Sequence, residues 1–403
     1  GQIIMANVSS SNGLEKRPRL AFRNTDGSHF PCWRQTSLGC IIEPYSEKVY
    51  GEHDYEVLTS SREGLQRQED HFGSKQRHDT DGYNIIPFGY CTYRNRSDDG
   101  KFAFNINTIS EKAIVSKFYP VFRFTNANST FMAEFLNSSP RVKKKLSVLA
   151  VGTSQVVLSF EALKAAKFDL PCKDEQDKIA AFLECLNTRI ENQRTLVVAL
   201  KKYKRGVVDG IFSRKLNFSY PQTWAELEIS ELFMPISDKG YSDKIVLTIV
   251  QGEGTMPRDS VDRRIAYDKS TISSYKRVLP NDFILHLRSF EGGLEIVNEE
   301  GVVSPAYTIL RARNEIIPLF FYTFFRSYWF INSKLRISVE GIRDGKSINM
   351  NTFWHIKVPV PSIEEQRHIS ALISSIDNRI KIAEFEYKRL LQIRVGLMQQ
   401  LFI

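Results

Sequence analysis

The sequence has no apolar run of 18 residues or more, so no segment reads as a membrane-spanning helix. Its first residues, Gly1-Gln2-Ile3-Ile4-Met5, lack a basic stretch leading into a long apolar core and do not read as a secretory signal. Cysteine is scarce. Cys32, Cys40, Cys91, Cys172 and Cys185 are an odd number without CxxC spacing, which argues against a disulfide framework or a zinc site and fits reduced thiols in a cytosol. Catalytic signatures are missing as well. There is no GxxxxGK[ST] phosphate loop, no HExxH and no GxSxG, and Gly252-Glu-Gly254 lacks the third glycine of a dinucleotide turn. The absence of any Pro-Pro dipeptide excludes an Asn-Pro-Pro-Tyr amino-methyltransferase motif. His71 and His78 join no set with cysteines, so they read as surface histidines rather than metal ligands. The Asp-Gly-Lys triplets at Asp99–Lys101 and Asp344–Lys346 lack the preceding strand carboxylate a metal-dependent nuclease needs, and Asp-Gly is a common turn.

What is present is ordinary in proportion and unusual in pattern. The 403 residues are 42% hydrophobic and 25% charged, the balance of a globular chain of two or three domains rather than a disordered one. Lys and Arg number 55 against 46 for Asp and Glu, a formal charge of +9, which makes a polyanion such as nucleic acid the first partner to consider.

The pattern is a repeat. Residues 171–213 align without a gap to 361–403, at an offset of 361 − 171 = 190. Identities include Pro171/Pro361, Glu175/Glu365, Gln176/Gln366, Ile179/Ile369, Arg189/Arg379, Ile190/Ile380, Leu200/Leu390, Gly206/Gly396 and Phe212/Phe402. In the first copy, steps of four and three connect Ile179, Leu183, Leu186, Ile190, Gln193, Val197, Leu200, Lys204, Val207 and Ile211. In the second they connect Ile369, Ile373, Ile376, Ile380, Ala383, Tyr387, Leu390, Arg394, Leu397 and Leu401. This 3.5-residue spacing predicts two long helices meeting along a coiled-coil seam, with Gln193, Lys204 and Arg394 as polar positions that set register. Each copy opens on a proline followed by carboxylates, which suit a helix N-terminus. A helix from Asp174 to Phe212 would be about 58 Å long. On the helices alone, a generic helical hairpin explains as much as any specific assembly.

The repetition extends upstream. Ser116, Tyr119 and Arg123 share the spacing of Ser304, Tyr307 and Arg311 within strand-like runs, and the segment Ile86–Arg94 resembles Leu279–Arg288. Each half therefore reads as a mixed domain rich in β-branched and aromatic residues, followed by a long helix. The expected divisions are a leader over 1–20, a first domain over 21–165, a helical region over 166–216, a second domain over 217–355 and a second helical region over 356–403.

Binding candidates are basic and fall in both halves. The first has Arg62, Arg67, Lys75, Arg77, Arg94 and Arg96 near Tyr83, Tyr90 and Tyr93, and the run Lys143-Lys144-Lys145. The second has Arg258, Arg263, Arg264, Lys269, Arg288, Arg343 and Lys346. Guanidinium forks can read guanine edges and lysines neutralise phosphates; each residue alone reads first as a solvated surface charge, and the case for binding rests on basic loops recurring in both halves.

The duplicated Pro-x-x-x-Glu-Gln-x-x-Ile element, continuing through Arg-Ile to Gly-x-x-x-x-x-Phe, resembles that of the specificity subunits of type I restriction–modification enzymes, and so does the doubled strand pattern before it. The resemblance covers nearly all of the chain beyond the leader. It implies an α+β chain with two mixed target-recognition domains separated by two long antiparallel helices in a coiled coil, related by pseudo-twofold symmetry. It implies no catalytic centre in this chain. Each domain would read one half of a bipartite double-stranded DNA target, and the chain would scaffold two modification (methyltransferase) subunits and restriction (translocase and endonuclease) subunits. S-adenosylmethionine, ATP and Mg would be bound by those partners, in a bacterial or archaeal cytoplasm with no membrane involved. Two departures stand out. His368 and Ser370 make the start of the second helix less basic, and the first half has Ala150–Gln155 where the second has the loop Glu340–Lys346. Two other readings stay open, the specificity chain of a related type II-like restriction system and a coiled-coil scaffold that binds only proteins.

Overall fold

The structure, a computed structural model, describes residues 4–5, 18–73, 79–216, 223–261, 269–286, 293–341 and 347–402. The chain forms two compact units. One comprises Gly1–Gln193 with Glu386–Ile403, the other Arg194–Phe385. The division falls inside the two long helices, Lys173–Phe212 and Ile363–Leu401, so each unit holds the start of its own helix and the end of the other.

In the first unit, one antiparallel sheet has the strand order Phe104–Ile106, Cys91–Tyr93, Val121–Phe124, Ile42–Tyr45. A second has the order Gly64–Arg67, Glu56–Ser61, Ala113–Val115, Asn84–Ile85, with one parallel pairing, Ala113–Val115 on Glu56–Ser61. A closing pair, Arg34–Ser37 with Lys167–Leu170, leads into the long helix. The strands Ile4–Met5 and Leu20–Ala21 also pair, so the expected leader boundary at 20 lies within a strand pair.

The second unit repeats the plan of the two sheets and the closing pair. Its antiparallel sheet has the order Phe233–Ile236, Tyr307–Ala312, Phe283–His286, Glu295–Ile296. The hairpin Leu247–Val250 with Gly254–Pro257 and the pair Lys276–Val278 with Gly301–Val303 reproduce the second sheet, joined by a parallel bridge from Val246 to Val302. Ala225–Glu228 pairs with Lys357–Val360 before the second long helix. The strand pair Val339–Glu340 with Ser347–Ile348 takes the place of the Val151–Val157 bridge, as the expected correspondence of the Ala150–Gln155 and Glu340–Lys346 segments has it.

Aromatic burial holds both units together. Tyr93, Phe104, Phe122, Phe131 and Phe135 are nearly fully buried in the first, and Phe233, Phe283, Phe320, Phe321, Phe324, Phe325 and Phe330 in the second. At about 1.5–3 kcal/mol per buried large apolar side chain, these rings supply a large share of the apolar stabilisation of each unit. No disulfide joins the five cysteines.

Candidate nucleic-acid interface

The seam is the frame on which each candidate surface is mounted. In the first unit Ile179 and Leu183 share a core with Met398, Leu401 and Phe402. In the second, Val207, Ile211 and Phe212 share one with Ile369, Ile373, Ile376 and Ile380, and Leu200 packs against it. The start of each helix meets the end of the other, so the helices run antiparallel. Ile190 is buried, and Leu186, Val197, Tyr387 and Leu390 are half-buried, whereas Asn192, Thr195 and Leu196 between them are exposed. The polar seam positions are occupied by specific contacts. Lys204 Nζ lies 2.6 Å from Asp377. Its repeat partner Arg394 donates to Asn187 at 2.9 Å and to both carboxylate oxygens of Glu134 at 2.9 and 2.7 Å.

The repeated Gln ties each domain to its helix, a role that its identity in the two copies signals without explaining. Gln176 Nε2 donates to Pro171 O at 3.0 Å, and its Oε1 accepts from Asn128 N at 2.9 Å. Gln366 does the same to Pro361 O and Ile317 N, both at 3.0 Å. Asn128 and Ile317 cap the helices Ser129–Ser138 and Pro318–Phe325. The prolines follow the closing strands, which end at Leu170 and Val360, and do not open the long helices; Cys172 and Ser362 take the cap positions. The repeated Phe crosses over. Phe402 packs edge-on to Phe131 and Phe135, and Phe212 to Phe320 and Phe324, so each long helix ends in the domain that it does not follow.

On this frame the nominated cations sort into three groups. Arg94, Lys143 and Lys144 are exposed and form no ion pair among the described residues, and Arg96 is exposed with its guanidinium 5.3 Å from the Phe118 ring. Arg62 and Arg67 are in surface ion pairs, with Asp99 at 2.6 Å and Glu56 at 3.0 Å. Such exposed pairs contribute about 0–1 kcal/mol, so phosphates could displace them at little cost. Burial opposes the ionised form of Asp99, but bonds from Ser97, the Lys101 amide and Arg62 outweigh it and lower its pKa to about 2. Arg258 is half-buried and reaches the Tyr275 hydroxyl, so it points less to solvent than a loop arginine suggests. Arg288, Arg343 and Lys346 lie outside the described residues, as do Lys75, Arg77, Arg263, Arg264 and the side chain of Lys269.

Strand register corrects one alignment. With Ser116 matched to Ser304, Val121 corresponds to Ile309; these pair with Thr92 and Ile284. Arg94 therefore corresponds to His286, two residues before Arg288, because the preceding loops differ in length. A cavity of about 690 Å³ in the first unit brings Arg62 and Lys143 together with Lys101, Glu134, Asn187 and Arg394. The second unit has one of about 440 Å³ bordered by Lys201, Lys204, Arg205, Arg326 and Asp377. Among the described residues no cluster of three or more His, Cys, Asp or Glu could hold a metal ion, and no helix is long and apolar enough to cross a membrane.

Two units of one topology, each tied to the ends of two antiparallel helices and carrying basic loops, define a duplicated recognition scaffold. The family model for the type I restriction modification DNA specificity domain matches residues 43–200 and again 221–392, and the chain belongs to that family. Two curated relatives from Methanocaldococcus jannaschii are each 24% identical. They are the putative type I restriction enzyme MjaX specificity subunit, over 224 residues (51% of this chain, 51% of that protein), and the type I restriction enzyme MjaVIII specificity subunit, over 215 (51% and 47%). The chain spans about half the length of the curated relatives it matches. Among solved structures, the S subunit of a type I restriction–modification system from M. genitalium is similar with a TM-score of 0.54 and 18% identity, over 96% of this chain and 99% of that one. A type I restriction–modification assembly structure gives 0.56 and 16%, over 93% and 98%. These likenesses are of fold.

Proposed function

We propose that the chain is the DNA-specificity component of a type I restriction–modification system and has no catalytic centre of its own. Each unit reads one half of a bipartite double-stranded DNA target. The observation that carries this reading is the doubling itself. The specificity domain occurs twice, on corresponding strand pairings, while the loops between strands differ in length and sequence. A shared frame with divergent loops suits two readers of unlike half-sites. Exposed Arg94, Arg96, Lys143 and Lys144 are the first candidates for DNA contact in the first unit, through phosphates or base edges.

The proposed partners are two modification subunits, with restriction subunits joining them in a prokaryotic cytoplasm. S-adenosylmethionine, ATP and Mg belong to those subunits. A repeated surface feature supports two equivalent docking places. Gly206 and Gly396 lie within the long helices, and a Cβ on either would meet nothing in this chain. Glycine there costs about 1 kcal/mol relative to alanine. Exposed Tyr203 and Ile393 precede them by three residues, on the same helical face. Close approach by a partner helix gives both glycines a purpose.

Base-modification sequencing of host DNA, with and without this gene and with the modification subunit present, tests the reading. Methyladenine at one motif of two short halves around a fixed gap, present only with the gene, is the expected result. A purified complex that neither methylates nor prefers any duplex would instead favour a protein-binding scaffold.

A further inference from the structure

The two units build the same turn and display different side chains on it. In the first, Ser116 O accepts from Tyr119 N at 2.9 Å and Ser116 Oγ from Phe118 N at 3.4 Å. In the second, Ser304 O accepts from Tyr307 N at 3.1 Å and Ser304 Oγ from Ala306 N at 3.3 Å. Each turn is also anchored from the neighbouring strand at the same carbonyl. Asn84 Nδ2 donates to Tyr119 O at 2.9 Å, and Lys276 Nζ donates to Tyr307 O at 2.6 Å. The backbone is thus fixed alike, but the tip is Lys117-Phe118 in one unit and Pro305-Ala306 in the other.

Phe118 is 52% exposed, although a phenylalanine gains by burial. Two cations flank its ring, the Arg96 guanidinium at 5.3 Å and Lys117 Nζ at 5.7 Å from the centroid. Arg94, which follows the strand Cys91–Tyr93, is exposed as well. An exposed ring in contact with two cations fits a polyanion that also offers apolar faces, which is what sugars and base edges between phosphates present. Lys117 and Arg96 match phosphates in charge, and the ring matches what lies between them.

We propose that the Ser116–Pro120 turn is a DNA-contacting tip of the first unit, with Phe118 packed on sugars and base edges and Arg96 and Lys117 on flanking phosphates. The second unit's Pro305-Ala306 turn makes no equivalent contact. This rests on the DNA-specificity reading and adds an asymmetry between the two half-site readers.

The test uses the complete chain co-purified with its modification subunit and a duplex carrying the methylated motif, with affinity measured across a salt series. Phe118→Ala is expected to weaken binding about tenfold while leaving the salt slope unchanged, because stacking releases no counterion. Arg96→Ala and Lys117→Ala are each expected to reduce the slope by about one. Grafting the second turn, Lys117→Pro with Phe118→Ala, should combine the losses, since Pro-Ala already fits this backbone; Phe118→Tyr should retain affinity. Wild-type affinity in Phe118→Ala, or a complex that no longer assembles yet binds DNA normally, would overturn the proposal and in the latter case assign the tip to a protein contact. A wild-type complex without preference for any duplex would overturn the DNA reading itself.

Discussion

In the first unit the arginine entering the seam from the second long helix, Arg394, spans Asn187 and both oxygens of Glu134. In the second unit its repeat partner Lys204 meets Asp377, on the other long helix. The acid opposite the seam cation is on the helix in one unit and on the recognition domain in the other. The strand arginines differ in a similar way. Arg123 pairs with Glu43, its register partner on the neighbouring strand, with side chains 50% and 52% exposed. Arg311 forks onto Asp282, which is 3% exposed and also accepts from Leu279 N. Topology, the Gln tether and the crossing Phe are common to both units, while the polar contacts have been rewritten. The shared features fix where a domain sits on its helix ends; the rewritten ones are free to follow what each domain must read.

The crossing phenylalanines give the largest expected effect. Phe212→Ala and Phe402→Ala should each destabilise by about 3–5 kcal/mol, the usual cost of emptying a buried aromatic site. Each loss should appear in the domain the helix ends in. Native-state hydrogen exchange is expected to deprotect Pro318–Phe325 in the first variant and Ser129–Ser138 in the second. Phe212 should prove the costlier, because Trp224 also packs on its ring. Next, Asp282→Ala should cost about 3 kcal/mol by stranding a partly buried guanidinium, whereas Glu43→Ala should cost about 0.5 kcal/mol. Chemical denaturation compares the two, and equal costs would contradict the difference in burial. Gln176→Ala and Gln366→Ala should each cost about 2 kcal/mol, because each leaves a carbonyl and a helix-cap amide unanswered. Here equality is the expectation, and a markedly cheaper variant would mean that one tether is redundant.

Much of the frame was legible in the chain, because it depends on short-range spacing. The two long helices follow from steps of three and four, and Ser116, Tyr119 and Arg123 align to Ser304, Tyr307 and Arg311 on corresponding strands. The roles of the repeated Gln and Phe were not legible, although their identity was. A tether from Gln176 to Asn128, or a ring of Phe402 against Phe131, joins residues far apart in sequence, and only the fold brings them together. The Arg94 alignment slipped by two because loop lengths carry no periodicity. Among the basic candidates, charge marked the residue type but not the direction, which is why Arg258 reaches Tyr275 while Arg94 stays in solvent.

The smallest expected effect separates the units most cleanly. Trp33 and Trp224 each immediately precede the first strand of the closing pair, Arg34–Ser37 and Ala225–Glu228, and a repeated, buried Glu, Glu175 or Glu365, follows each at nearly the same sequence offset. Trp33 Nε1 donates to Glu175 Oε2 at 3.2 Å. Trp224 Nε1 is buried and has no hydrogen-bond partner among the described residues, although Glu365 is the counterpart of Glu175. Phenylalanine removes the N–H and keeps most of the apolar surface. Trp33→Phe should therefore cost about 1 kcal/mol through the lost bond to a carboxylate. Trp224→Phe discards a buried donor that earns no bond, so the desolvation it relieves should offset the smaller ring and leave stability unchanged or slightly raised. Urea denaturation of the two variants reads the difference directly. A loss of 1 kcal/mol or more in Trp224→Phe would mean that its indole N–H is bonded in solution and that the two units share this contact after all.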